Sequence, residues 1–373
     1  MGYDVVVVGG GLAGLVNSLV LAKAGLSVLV VEKKTYPFHR VCGEYISNEV
    51  IPFLKSLDAY PAELEPAQVT RFQLTSVSGK QMMMPLDLGG WGISRYALDD
   101  FLYQRALAEG VSFRLKTQVE TVRFQEGQFE VVLAKGESIF SPLVIGAFGK
   151  RSKVDKALDR QFIKERSDYI GVKYHIQTDF PDDLIALHNF AGGYCGLSKV
   201  EGNRYNLCYL GSRKHLREHG SIEDMEEAVV KKNPFLREVY TNSDFLFDKP
   251  EVINEINFKP KKPVEGHLLM TGDSAGLITP LCGNGMALAI HSAKLLSELI
   301  LKHYTHVGNW DRAALEKEYT KTWQKHFALR LWAGRKIQGL FGGESTSNLA
   351  VNLGKKTPWI AKQLMARTHG KPF

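Results

Sequence analysis

The stretch YDVVVVGGGLAGLVNSLVLAKAGLSVLVVE, residues 3–32, decides the fold. Val5 to Val8 is an unbroken apolar run of strand length, the pattern of a strand covered on both faces. It runs straight into Gly9, Gly11 and Gly14 in G-x-G-x-x-G spacing, which open a helix of small and aliphatic residues. A second apolar run, Ser27 to Val31, ends at Glu32. In such a βαβ unit Gly9 allows the tight turn, Gly11 lets a pyrophosphate approach the backbone, and Gly14 lets helix and strand pack closely. The unpaired amides at the helix start, those of Leu12 and Ala13 included, then face the phosphates. Glu32, followed by Lys33, stands where a carboxylate accepts from a ribose 2′-hydroxyl. An acid there suits an unphosphorylated ribose, so FAD or NAD rather than NADP. A Gly-rich turn in an ordinary βαβ unit is the competing reading. Strand, helix, second strand and acid together favour a dinucleotide.

With 373 residues and 44% hydrophobic content, the chain can bury a substantial core in one large domain or two. The net charge of +7 is moderate. Part of it lies in Arg312 to Lys336, which carries seven Lys/Arg against Glu316 and Glu318. Leu315, Tyr319, Trp323, Phe327 and Leu331 recur there every four residues, marking an amphipathic helix. A solvated basic face over a domain competes with a surface for anionic lipid headgroups or an acidic substrate. No basic and aromatic interleaving is present, so no nucleic-acid partner is expected. Cys42, Cys195, Cys208 and Cys282 are scattered without a C-x-x-C pair, which removes cysteine zinc sites and a dithiol relay. No metal, reduced thiols and a cytoplasmic location are expected. The N-terminal run lacks a basic flank and is broken by glycines and Lys23, unlike a signal peptide. No run approaches the roughly 18 apolar residues of a membrane-spanning helix.

Farther along, residues 70–86 alternate around SVSGK, predicting a hairpin. YALDDFLYQRALAE (96–109) reads as a helix with Leu98, Leu102 and Leu107 inside. Leu143 to Ala147 reads as another buried strand, closed by Gly149. Residues 169–211 switch to strand periodicity and predict a second sheet. HLLMTGDSAG then returns to the nucleotide fold, and GNGMALAIHSAKLLSELI is a long helix.

Three further pieces point to the cofactor. Arg95 precedes a helix, where a guanidinium meets a phosphate or flavin edge. Gly272 and Asp273 follow a buried strand, where a carboxylate accepts from a polyol hydroxyl, although Asp there also suits a helix cap. Gly283, Asn284, Gly285 and Met286 begin the long helix, whose amides can face negative charge on a reduced flavin.

Together these residues resemble the FAD-binding signature of the geranylgeranyl reductase and aromatic-hydroxylase flavoproteins, over about residues 3–300. The resemblance implies an α/β fold: a Rossmann-like FAD-binding domain with an inserted α+β substrate domain on an antiparallel sheet. The pieces would be 1–70, 90–165 and 260–305 for FAD, 71–89 and 166–259 for substrate, and 306–373 as a C-terminal helical region. Gly9, Gly11, Leu12, Ala13, Gly14, Glu32 and Lys33 would hold the ADP half, assisted by Arg40, Arg95 and Gly149. Asp273 would take the ribityl chain, with Gly283, Asn284, Gly285 and Met286 at the ring. No second G-x-G-x-x-G stands later in the chain, so NAD(P)H is expected as a transient co-substrate.

HRVCGEYIS (39–47) points to the reductase branch, where prenyl reductases carry a Cys-Gly pair beside flavin and substrate; Cys42 and Gly43 match it. A thiol there can donate a proton to carbon, while a small buried residue in a cofactor loop is the competing reading. Tyr194 stands at the aromatic position of the branch's Y-x-W-x-F-P signature, but its Trp, Phe and Pro are missing. Phe148 replaces the Asp of the hydroxylases' Asp-Gly pair. The halogenase G-W-x-W-x-I-P signature is absent, GGWGIS supplying only Trp91. The expected activity is reduction of C=C bonds in a hydrophobic isoprenoid or polyketide-like lipid. A single-component monooxygenase acting on an aromatic or polyketide-like substrate is the alternative, and an FAD-free prenyl-protein escort factor the non-enzyme reading. Oligomeric state has no signal in the chain.

Overall fold

A computed structural model describes residues 2–254, 256–279, 284–306, 309–339, 341–357, 359 and 370–373. Val5–Val8 forms the centre of a six-stranded sheet, paired in parallel with Val28–Val31 on one side and Leu143–Gly146 on the other. Ser112–Arg114 extends one edge and Leu268–Met270 the other, both parallel; Val264–Glu265 closes the latter edge antiparallel. All four central valines are buried. Helices cover the sheet, as a parallel arrangement requires. The glycine-initiated helix Leu12–Lys23 packs against the long helix Gly285–Lys302 and against Arg95–Ala108. A meander, Val119–Gln125, Gln128–Leu133 and Ser138–Ser141, lends Val122, Phe129 and Val131 to the same core.

The second sheet has nine strands. The predicted hairpin is its Ala67–Thr75 and Gln81–Gly92, with Tyr45–Ser47 on the outer edge. Leu184–Phe190, Gly193–Lys199, Tyr205–Ser212 and Tyr169–Gln177 follow in space, ending on Asp244–Phe245 and Glu251–Asn254. The boundary expected at residue 71 therefore falls inside a strand. The sheet is also mixed rather than antiparallel: Leu184–Phe190 runs parallel to Ala67–Thr75. A parallel pair needs a long crossover, and residues 76–183 supply one.

Alternation divides the sheet by face. Ile170, Val172, Tyr174, Leu207 and Tyr209 enter an outer core against Met225, Val230 and Leu236. Lys173, His175, Asn206, Cys208 and Leu210 occupy the opposite face. Leu107, expected inside, is exposed, and Ala106 takes the inward position. The helix turn brings residue 106, eight past Leu98, back to the core stripe. Among the described residues no helix is long and apolar enough to cross a membrane.

Candidate active site

Gly9 has φ +105°, and a Cβ there would stand 2.4 Å from the Ala147 carbonyl oxygen. A Cβ on Gly14 would stand 2.0 Å from the Gly9 oxygen, so strand and helix meet backbone to backbone. Gly11 caps the helix, which has no side-chain cap and no acid in its first turn. Above Gly11 the nearest groups to a Cβ would be Arg95 Nη2 at 3.7 Å and Arg40 Nη2 at 4.0 Å. Two guanidiniums thus converge on an uncapped, electropositive helix end. Asp99, buried on the helix Arg95–Ala108, holds both: it accepts from Arg95 Nε and Nη2, each at 2.7 Å, and from Arg40 Nε at 3.1 Å. Arg40 Nη2 is buried without a hydrogen bond, 3.6 Å from Glu32. Such a donor wants an acceptor.

Glu32 is buried, taking the Gly10 amide at 2.8 Å and the Lys34 amide at 3.0 Å. Each oxygen keeps a lone pair for a ribose hydroxyl. Tyr36, overlooked in the sequence, donates to the Gly10 carbonyl and stacks on Tyr103 at 4.4 Å. Leu12 and Met286 are buried in one apolar cluster, and Ala13 lies under Gly272, so these three offer a cofactor only backbone. Lys33 is exposed and joins none of these hydrogen bonds.

Beside the helix start, against Ala13, Gly272 (φ +59°) starts a short turn through Asp273. Ser274 Oγ accepts from the Gly149 amide at 2.8 Å, joining that turn to the loop that follows the strand Leu143–Gly146. Lys261 donates to the Asp273 and Lys150 carbonyls, and burial lowers its pKa to about 8. The Asp273 carboxylate makes no hydrogen bond among the described residues. Gly285 opens the long helix, again without a side-chain cap. Asn284 is buried and donates to Glu49 at 2.9 Å, a structural tie that its sequence position did not announce. Gly283, like Cys282, lies outside the described residues.

Cys42 is a half-buried free thiol, and Gly43 beside it is exposed with open space where a Cβ would stand. Glu44 (φ +53°) anchors this loop from below. Its buried carboxylate takes the Arg95 amide at 2.8 Å, His175 Nε2 at 2.7 Å and the Lys173 ammonium. Burial alone would raise its pKa, but Lys173 and His175 bring it down to about 2. Asn206 Nδ2 donates to the Cys42 carbonyl at 3.1 Å. Lys173, His175 and Asn206 all stand on one face of the second sheet. The signal was present: polar residues at alternate positions of the apolar strand YIGVKYHIQ.

The same face turns apolar towards Leu210, which clusters with Tyr194, Leu74, Leu187, Ile256 and Leu277. Val41 links the halves, lying where a Gly171 Cβ would also meet Ile253 and Ile256. Tyr194 is therefore far from an isolated aromatic; it packs on Phe341 at 5.7 Å. Trp91 is fully buried against Tyr60 as a core residue. The absence of a metal was argued from cysteine spacing, which cannot see His215, Glu218 and His219, whose ligand atoms lie within 4.8 Å of one another on a surface helix.

The FAD binding domain family model matches residues 2–321. The chain belongs to that family. The uncapped helix ends, the converging guanidiniums, the Arg40 Nη2 donor without a hydrogen bond and the room above Gly11 fit the cofactor. This member of the family is an FAD-binding oxidoreductase. It is 27% identical to a digeranylgeranylglycerophospholipid reductase of Methanosarcina mazei, over 86% of this chain and 80% of that one. A second such reductase, from Methanopyrus kandleri, is 24% identical over 94% and 89%. A geranylgeranyl bacteriochlorophyll reductase-like protein of Thermoplasma acidophilum superposes with TM-score 0.74 at 19% identity, covering 98% of this chain and 99% of that one. A flavin-dependent brominase superposes at 0.76 and 16% identity, over 99% and 93%. At such identities these two likenesses describe the fold.

Proposed function

We propose that this protein reduces carbon–carbon double bonds of an isoprenoid lipid, with NAD(P)H as a transient electron donor. When bound, FAD supplies the hydride chemistry, which no side chain can perform. Gly9, Gly11, Gly14, Glu32, Arg40 and Arg95 hold its ADP half, while Asp273 and the amides at Gly285 hold the rest. The observation that carries the reading is the divided face of the second sheet. Its polar half grips the Cys42–Gly43 loop, and its apolar half continues from that loop through Leu210 and Tyr194. An isoprenoid chain suits the apolar half, with one double bond brought to the loop. Cys42 Sγ holds the proton that the second carbon requires, and it regains one from solvent through its half-buried position. The named relatives support a lipid substrate of this kind.

The test is anaerobic. Holoenzyme reduced with NADPH or NADH is mixed with digeranylgeranylglycerophospholipid, and the flavin absorbance and product mass are followed. Return of the oxidised spectrum with two hydrogens gained per reacting double bond is expected. Return only on admitting oxygen, with an oxygen atom in the product, would instead identify the monooxygenase.

A further inference from the structure

The charge of this chain is concentrated at one end. Residues 325–373 hold nine Lys/Arg and a single acid, Glu344, a net +8 against +7 for the whole chain. The remainder is therefore close to neutral. The helix Arg312–Gln338 buries Leu315, Tyr319, Trp323, Phe327 and Leu331. Its opposite stripe, from Lys321 onwards, runs Lys321, Lys325, Leu329, Trp332 and Lys336, all exposed. Leu329 is 67% exposed and Trp332 53%. One turn apart, the two form a contiguous exposed apolar pair rather than isolated surface residues.

The next helix, Glu344–Lys356, repeats the arrangement. It turns Val351 and Ser347 inward, while Leu349 (54%), Leu353 (47%) and Lys356 form its outward stripe. Trp359, 62% exposed, follows.

We infer that these two helices form a docking surface for an anionic lipid bilayer, entered in-plane by Leu329, Trp332, Leu349, Leu353 and Trp359. Lysines at the edges of an apolar stripe meet lipid phosphates while Trp rings settle at headgroup level. Charge selects this occupant over a second copy of the chain, since two such faces would set like charges against each other. The same segment sends Val351 and Phe341 into the apolar cluster around Tyr194. A bilayer-bound molecule thus has its lipid-facing helices walling the face assigned to substrate; that consequence, unlike binding itself, rests on the reductase reading.

Full-length holoenzyme should co-sediment with vesicles containing about a third phosphatidylglycerol and far less with pure phosphatidylcholine, with binding lost in high salt. Leu329→Ser with Trp332→Ser should leave the flavin spectrum and turnover of a detergent-dispersed substrate unchanged while vesicle binding falls at least tenfold. Lys325→Gln with Lys336→Gln should weaken binding roughly tenfold or more and flatten its salt dependence. Equal sedimentation of wild type and variants would overturn the proposal. So would a wild type that ignores anionic vesicles, or one that dimerises through these residues. Each of these results is independent of whether the enzyme reduces a double bond.

Discussion

Asp99 accepts three guanidinium hydrogen bonds from two arginines that approach it from different elements. Its pairing with Arg95 is written in the i, i+4 spacing of one helix. Its hold on Arg40, from 59 residues away, is not written anywhere local. Asp99→Ala should release both side chains from above Gly11. Charged hydrogen bonds are worth about 1.5–3 kcal/mol each, so FAD affinity should fall on the order of tenfold to a hundredfold. Fluorescence titration of the apoprotein with FAD measures it, and unchanged affinity would show that neither arginine serves the phosphates. Glu44 presents a different case. Glu44→Ala strands the buried Lys173 charge and should cost about 3–5 kcal/mol in denaturant unfolding. Adding Lys173→Met should recover a large part, because the pair's desolvation disappears with its charges. The same positions were visible as polar interruptions of an apolar strand, but which carboxylate they served depended on a contact 129 residues distant.

At the scale of elements, legibility follows how local the cause is. The opening strand, helix and second strand were readable because their residues meet their own neighbours: four buried valines, three glycines, one acid. The helix Arg95–Ala108 was readable from its period, yet Leu107 was misplaced, since a stripe edge is decided by what packs on it. The second sheet was recognised as strands but not as mixed, because pairing Leu184–Phe190 with Ala67–Thr75 is a long-range event with no local mark. The βαβ contact makes a sharp prediction. Gly14→Val places a branched Cβ where the Gly9 oxygen stands at 2.0 Å. Strand and helix must separate, so the variant should purify without flavin and lose several degrees of thermal midpoint, overpacking costing about 1–3 kcal/mol. Gly2→Val, with open space around its position, is the matched control and should bind flavin normally.

Across the whole molecule, histidine burial sets the response to acid. Burial lowers His188 and His39 to about 4 and His291 to about 3; burial also lowers His326. In the unfolded chain each returns to about 6.5. Below pH 6.5 the unfolded state therefore binds more protons than the folded one, and stability falls as pH drops towards 4. For the fully buried His188 the slope is at most about 1.4 kcal/mol per pH unit. Glu226, raised by burial beside Tyr174 and Tyr209, opposes this, because its folded form takes up a proton earlier than its unfolded form. Among the described residues one raised carboxyl stands against four lowered imidazoles, so the histidines prevail. Glu44 adds nothing in this window: its contribution is complete above 4.5 and is lost only as pH falls towards 2. The thermal midpoint should thus decline between pH 6.5 and 4.5, and His188→Gln should decline less steeply than wild type. A midpoint that holds level or rises over that interval would mean the imidazoles are charged in the folded protein, and the buried His188 would then need a carboxylate that the strand Leu184–Phe190 does not place beside it.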